Sequence, residues 1–433
     1  MDATTPANFA RIARGGVAVV VAIVVVVGLV VWRPGCSAAP PAVGGSGAAP
    51  VIRVRLLANV DQAAITCAVA PDYRLGAAPG QRLGGEGNAA FNLTLGAQGW
   101  SAGESKLGGA SPAGVSASAV LILSPAQVGS VTVNGVAYRG ALRFVPTAAG
   151  RFDVVNDVAL DDYLAAVVAG EMYPGWHEQA YRAQAIVART YALYERQTAG
   201  TGRHWDVYPD TRSQMYGGLP AETKWARAAV AETAGIVLAA PDADGQPRIF
   251  KAYFSSCCGG VSQSAADAFG EGYVPALSDQ NVYAACRASP RFNWGPVEVS
   301  KSDLTARFVR FGQRRGRPEA KMATITRIDV QQENRWGRPI RFLVTDLRGN
   351  KFSLSGEEFR WAVNTGAPEG STLYSSFVKV ISDSDRILFV EGHGWGHGVG
   401  LCQYCAEKRA EDGLAHEHIL LAAYPTASLV RAY

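Results

Sequence analysis

The chain has 433 residues, 48% of them hydrophobic and 18% charged, enough apolar content for a sizeable core and too little charge for global disorder. A formal net charge of +4, from 41 basic and 37 acidic residues, excludes a polyanion-coating protein. The 48 glycines and 22 prolines argue for many turns rather than a helical bundle, and seven cysteines suffice for a metal site or a few bridges but not for a disulfide-dense scaffold.

Residues 15–32, GGVAVVVAIVVVVGLVVW, carry no charge and just reach the length of a bilayer-spanning helix. Arg11 and Arg14 ahead of the run favour a cytoplasmic N-terminus, residues 1–14. A cleaved signal peptide is the rival reading, although its apolar core is normally shorter. Cys36 follows Arg33-Pro34-Gly35, a poor match to a lipidation box. A Pro/Gly/Ala linker, 33–49, comes next. The expectation is a single-pass cell-membrane protein with its main domain extracytoplasmic, where disulfides are allowed.

Residues 50–130 are expected to be β-rich. The segment 51–57 alternates apolar and basic residues as a half-buried strand does, and the Gly/Ser-rich stretch 76–118 reads as loop or weakly ordered insertion. Val131 to Tyr138 is a hairpin signal, with Asn134-Gly135 supplying the positive φ angles of a tight turn. Strands follow at 141–146 and 151–158. The period then changes to helical: 161–170 with Asp161 or Asp162 as cap, about 177–197 with an apolar stripe through Ala180, Ala183, Val187, Tyr191 and Tyr194, and a shorter helix at 221–232. Strands return at 248–254, 324–331, 339–346, 351–355, 376–381 and 386–391. The basic stretch Arg307 to Arg317 reads as a solvated face, with a secondary option of contact to anionic wall polymers. Strands, then helices, then strands predict an α+β fold.

Two constellations carry chemistry. Glu171 falls where a helix ends, so its carboxylate faces the negative end of the dipole, and Met172, Tyr173 and Trp176 can desolvate it. Both effects raise a Glu pKa, as a general acid requires. The second is Gly392-His393-Gly394-Trp395-Gly396-His397-Gly398-Val399-Gly400, whose five glycines exclude a regular helix. His393 and His397 could meet a substrate, a carboxylate or a metal.

Together the segments DDYLAAVVAGEM (161–172), AYRAQAIVARTYAL (180–193), DTRSQMYGG (210–218), AVAETAGIVL (229–238), YFSSCCGG (253–260) and GHGWGHGVGLCQYCA (392–406) resemble the family of stage II sporulation protein D and the amidase enhancer LytB. The resemblance covers 131–425 and implies a catalytic domain there, a mixed β-rich domain with a few helices around a sugar-binding cleft. It implies action on peptidoglycan glycan strands. Sporulation members look like lytic transglycosylases that cut strands lacking stem peptides, whereas enhancer members bind wall and stimulate a separate amidase. Glu171 inherits the catalytic acid's role, and Gln184, Arg189, Gln214, Tyr216, His393 and His397 are expected around the sugar. A single Glu suffices if the C6 hydroxyl closes a 1,6-anhydro ring, so no second carboxylate is obligatory. No cofactor is required for this chemistry. Partners are the glycan strands, the membrane through 15–32 and, on the enhancer reading, an amidase. No nucleic-acid motif is present. A structural envelope protein that kept the fold and lost the site is a third option.

The sequence departs from the family pattern at Arg182, often Lys, and at Cys402 and Cys405, commonly Gly or Ser. With Cys257, Cys258 and Cys286 these make five cysteines in segments expected to converge. Some family members resemble zinc proteins with ligands in the segment matching 253–260, yet their histidine ligands have no neighbour here. A thiolate zinc site and one or two disulfides both remain open, with Cys36 and Cys67 outside the cluster. A cysteine nucleophile with His393 or His397 as base is chemically sound, but nothing orders such a pair.

Overall fold

The computed structural model describes residues 47–433 apart from 78–79, 84–87, 108–117, 126–128, 243 and 283–284. The apolar run 15–32, Cys36 and most of the linker lie outside the described residues. Among the described residues no helix is long and apolar enough to cross a membrane.

The first layer pair is a β-sandwich. One six-stranded sheet runs in the order Val51–Val60, Arg151–Ala159, Ala141–Ala148, Leu121–Ser124, Asp72–Leu75, Gln81–Arg82. The other runs Val136–Tyr138, Val131–Val133, Gln62–Cys67, Ala89–Gly96, Gly99–Ala102, Ser105–Lys106. Their inner faces share one core, with Trp100 set edge-on against Phe144 and Phe152 at centroid distances of 6.2 and 5.0 Å. The hairpin turn forms as expected, with φ of 46° at Asn134 and 84° at Gly135. The expectation of loop over 76–118 is corrected for the described residues 89–106, which hold three strands. Leu93, Leu95 and Trp100 alternate inward, and their burial makes strands of a Gly/Ser-rich stretch. The hairpin and the strands up to Ala159 belong to this sandwich core, so the core extends past residue 130.

Strand Arg151–Ala159 runs straight into helix α1, Leu160–Glu171. The helix has Ala159 as its N-cap and no side-chain cap. Asp161 and Asp162 sit in its first turn rather than at the cap, where they still oppose the helix dipole. Helix α2, Glu178–Thr198, is capped by His177 Nδ1, which accepts from the Gln179 N–H. Its stretch from Ala180 to Leu193 is almost wholly buried, and the small side chains let α1 and α3, Lys224–Glu232, pack close. This helical core rests on a three-stranded sheet of Ile236–Pro241, Pro247–Ile249 and Ser428–Arg431. A short helix α4, Ala265–Phe269, follows.

The helical core is discontinuous in sequence. It takes residues up to Leu277 and resumes at Val399. Between them a separate core, Trp294 to Phe389, is built from two three-stranded antiparallel sheets and two helices, α5 (Lys301–Arg315) and α6 (Gly356–Asn364). Both helices carry Ser caps, Ser300 on α5 and a full Ser355/Glu358 capping box on α6. The reading of 307–317 as a solvated basic face is corrected at Arg307 alone; Arg314 is exposed and Arg310, Arg315 and Arg317 are partly so. Arg307 is buried, bonded to Asp303 and to the Val363 and Ser371 carbonyls. The chain returns through the glycine-rich segment into α7, Gln403–Glu411, and α8, His416–Ala423, which complete the helical core.

Candidate active site and cysteine centre

Glu171 is the last residue of α1. The loop 210–218 crosses this end of the helix. Gly170 permits the approach, since a Cβ there would stand 3.2 Å from the Met215 carbonyl oxygen. The Met215 N–H donates to Glu171 Oε1 at 2.8 Å. From the far end of the chain, Gln403 Nε2 donates to the Glu171 carbonyl at 3.1 Å, satisfying one of the open carbonyls of the helix terminus. Burial pushes the Glu171 carboxyl up to about 7, against the opposing bonds from Met215 and Gln403. Among the described residues no carboxylate shares a hydrogen bond with it. Tyr173, Trp176 and Tyr404 form an aromatic group beside it, with centroids 5.2 Å (Tyr173–Trp176), 6.0 Å (Tyr173–Tyr404) and 4.9 Å (Trp176–Tyr404) apart. Tyr173 is exposed, so the group presents apolar ring faces with polar tips, a surface suited to sugars.

The predicted sugar contacts divide. Arg189 is fully buried and bonds Tyr433 Oη, Thr233 Oγ1, Asp161 Oδ1 and the Val230 and Ile236 carbonyls. Gln214 is buried, accepting from Tyr163 Oη at 3.1 Å and donating to the Ala188 carbonyl at 3.4 Å. Tyr216 is buried and donates to Asn156 Oδ1 at 2.8 Å. These three are corrected from cleft residues to supports that hold α1, α2 and the 210–218 loop together. Gln184 is also buried, 3.5 Å from Gln403, but its Nε2 has no partner among the described residues. His397 is packed edge-on to Tyr253 and Phe269, its Nδ1 accepts from the Val399 N–H, and burial drives it down to about 4, so it is neutral at pH 7. His393 lines a cavity of about 550 Å³ with Gly259, Val261, Phe292, Trp336 and Phe377, a lining that does not include Glu171. Sequence reasoning missed Gln403 and Tyr404 as site residues. Their signal was present, because both lie inside GHGWGHGVGLCQYCA.

The cysteines converge. Cys258, Cys286, Cys402 and Cys405 are buried, and their sulfurs all lie within 4.8 Å of one another. Cys257 is excluded from that group; its thiol points to the Cys286 carbonyl at 3.9 Å. Cys67 lies in the sandwich core. None of the described cysteines forms a disulfide, and neither histidine of the glycine-rich segment joins the group. Gly394 brings that segment against the cysteine loop. Its φ is 81°, and a Cβ there would lie 2.6 Å from the Cys257 carbonyl oxygen.

Residues 148–239 match the family model described as stage II sporulation protein, and 274–400 match a domain of unknown function, DUF8618. The second match spans the whole of the separate core between the two halves of the helical core. An amidase enhancer of Bacillus subtilis is 24% identical over 302 residues, 61% of this chain and 40% of that protein. Residues 148–239 thus carry a domain of the SpoIID kind, and the resemblance to the SpoIID/LytB family is supported by both matches. An uncharacterized protein of Brachyspira hyodysenteriae is 27% identical over 301 residues, 69% of this chain and 74% of its own length. One of Chlamydia muridarum is 33% identical over 116 residues, 26% of this chain and 40% of that protein. The chain thus spans less than half the length of two of these three relatives. The domain match and the likeness to an amidase enhancer support a cell-wall-related role.

Proposed function

We propose that the protein is a lytic transglycosylase of cell-wall glycan, anchored through residues 15–32 with its folded part outside the membrane. The observation that carries the reading is Glu171, a carboxyl held near pKa 7 beside an aromatic group and, among the described residues, without a carboxylate hydrogen-bond partner. A protonated Glu171 gives its proton to the oxygen between N-acetylmuramic acid and N-acetylglucosamine as the glycosidic bond breaks. The resulting carboxylate takes the proton from the C6 hydroxyl, which closes the 1,6-anhydro ring. One group serves as acid and then base, and a pKa near the working pH suits both steps. Tyr173, Trp176 and Tyr404 stack on the sugar faces. Met215 N–H and Gln403 hold the carboxyl and the helix end in place.

The likeness to an amidase enhancer favours a second reading, a wall-binding module that stimulates a separate amidase. Full-length protein in detergent, incubated with denuded glycan strands, separates the two. Anhydro-muramyl ends detected by mass spectrometry support the enzyme. Pelleting with wall and stimulation of an amidase, without such ends, supports the enhancer.

A further inference from the structure

We propose that Cys258, Cys286, Cys402 and Cys405 bind one tetrahedral zinc ion that fastens the separate core to the helical core. Zinc–thiolate bonds of about 2.3 Å place ligand sulfurs roughly 3.8 Å apart. The Cys258 and Cys286 sulfurs stand at 3.7 Å, and the whole set lies within 4.8 Å. A disulfide needs about 2.05 Å between sulfurs and joins two partners, whereas here four converge on one point. A set of four thiolates is the pattern of a closed structural site.

The surroundings fit an anionic centre. Four thiols give up four protons on binding Zn²⁺, leaving a net charge of −2 at the site. The Cys258 N–H points at Cys402 Sγ at 3.3 Å, a donor well placed for a thiolate. Cys402 is the N-cap of α7 and Cys405 lies in its first turn, where the helix dipole favours negative charge. Arg338 is fully buried, and among the described residues its hydrogen bonds go to the carbonyls of Cys258, Val261 and His397. Glu357, the acidic group that acts on it most, is already bound by Arg360. A buried cation bonded only to carbonyls needs an anion nearby, and the metal–thiolate centre supplies one.

The position of the ligands gives the centre its purpose. Cys258 precedes the separate core, Cys286 lies on the segment that enters it, and Cys402 and Cys405 lie where the chain leaves it. The entering and leaving segments also meet through short two-residue pairings, Asn293–Trp294 with Gly392–His393 and Phe254–Ser255 with Leu401–Cys402, and through the Cys257–Trp395 bridge. The ion would close that junction. It would also fix Gln403, which sits between two ligands and reaches Glu171; this last consequence rests on the catalytic reading above.

Elemental analysis of full-length protein purified without chelators is expected to give one zinc per chain. Cys258→Ser and Cys405→Ser should lose it, and Cys257→Ser should keep it. Reconstitution with Co²⁺ should give thiolate-to-cobalt charge-transfer absorption in wild type and Cys257→Ser. Because a ligand variant can fail to fold, wild-type protein is also titrated with a mercurial while zinc release is followed by a chromogenic chelator. Release in step with modification of four thiols supports the site. Metal-free wild type, or Cys258–Cys286 or Cys402–Cys405 disulfides in non-reducing peptide maps, overturns it. Glu171→Gln should keep its zinc, so loss of activity there and loss of metal here are separable failures.

Discussion

Glu171→Gln separates proton donation from everything else the side chain does. At a pKa of about 7, roughly half the molecules carry the proton at pH 7, against about one in 300 for a carboxyl at its ordinary 4.5. Gln keeps an oxygen to accept from the Met215 N–H but has no proton to transfer. Glycan cleavage should fall about 10²–10⁴-fold, the usual share of positioned proton transfer. Wall binding should stay the same, because the rings beside the carboxyl are untouched. Stability should move in the opposite direction. A carboxyl whose folded pKa is raised contributes stability that is full below its unfolded pKa and lost as pH rises through about 7. The gap bounds that loss at roughly 3 kcal/mol, and solvent screening at the partly buried Glu171 lowers it further. The Gln variant has no charge to bury. It should therefore melt above wild type at about pH 8.5 and alongside it near pH 4. Anhydro-end release measured across pH, with melting curves at those two pH values, tests both halves. Wild-type cleavage should decline as pH rises above 7. Near wild-type cutting by the Gln variant would remove Glu171 from the mechanism. A melting difference independent of pH would refute the burial argument.

Gln403→Ala removes a group that holds the Glu171 pKa down, so the alkaline limb of the cleavage profile should shift upward, with a lower rate from the loosened helix end. Arg189→Ala should destabilise by about 3–5 kcal/mol, because it strips Asp161 of a buried partner and leaves two carbonyls undersupplied. Denaturant unfolding measures this, and Arg189→Lys should recover only part, since a single ammonium cannot reproduce the fork. Trp100→Ala should cost about 3–5 kcal/mol by opening a cavity between the two sheets, with no change in zinc content.

What the sequence disclosed and what it hid divides by the range of the interaction. Asn134-Gly135 specifies its turn through its own dihedrals, and the alanine-rich stripe of α2 specifies a helix within a few turns, so both were legible. The strands around Trp100 were not, because they sit in a stretch rich in glycine and serine and only the burial of Leu93, Leu95 and Trp100 across the sandwich makes them strands. Arg307 misled for the related reason that charge argues for solvent. The partners that bury it, the Val363 and Ser371 carbonyls, lie 56 and 64 residues away. Arg189 misled in the same way at the site itself.

The same division decides what could be known of the chemistry. Glu171 was legible because its helix end and its aromatic neighbours are adjacent in sequence. The groups that hold it in place come from 44 and 232 residues away, and no local pattern ties them to it. The cysteines sharpen the point. Sequence could say that five thiols converge, but not which four could share an ion. Cys257 and Cys258 are sequence neighbours, and both thiols reach the cluster: Cys257 Sγ approaches the Cys286 carbonyl at 3.9 Å, and Cys258 Sγ stands 3.7 Å from Cys286 Sγ. Cys258, not Cys257, belongs to the set of four sulfurs that lie within 4.8 Å of one another. The pairing of Phe254–Ser255 with Leu401–Cys402 and the bridge from Cys257 to Trp395 hold both cysteines against the leaving segment, and no local pattern says which of them completes the four. The contrast between Cys257→Ser and Cys258→Ser therefore tests which of two adjacent thiols the metal takes.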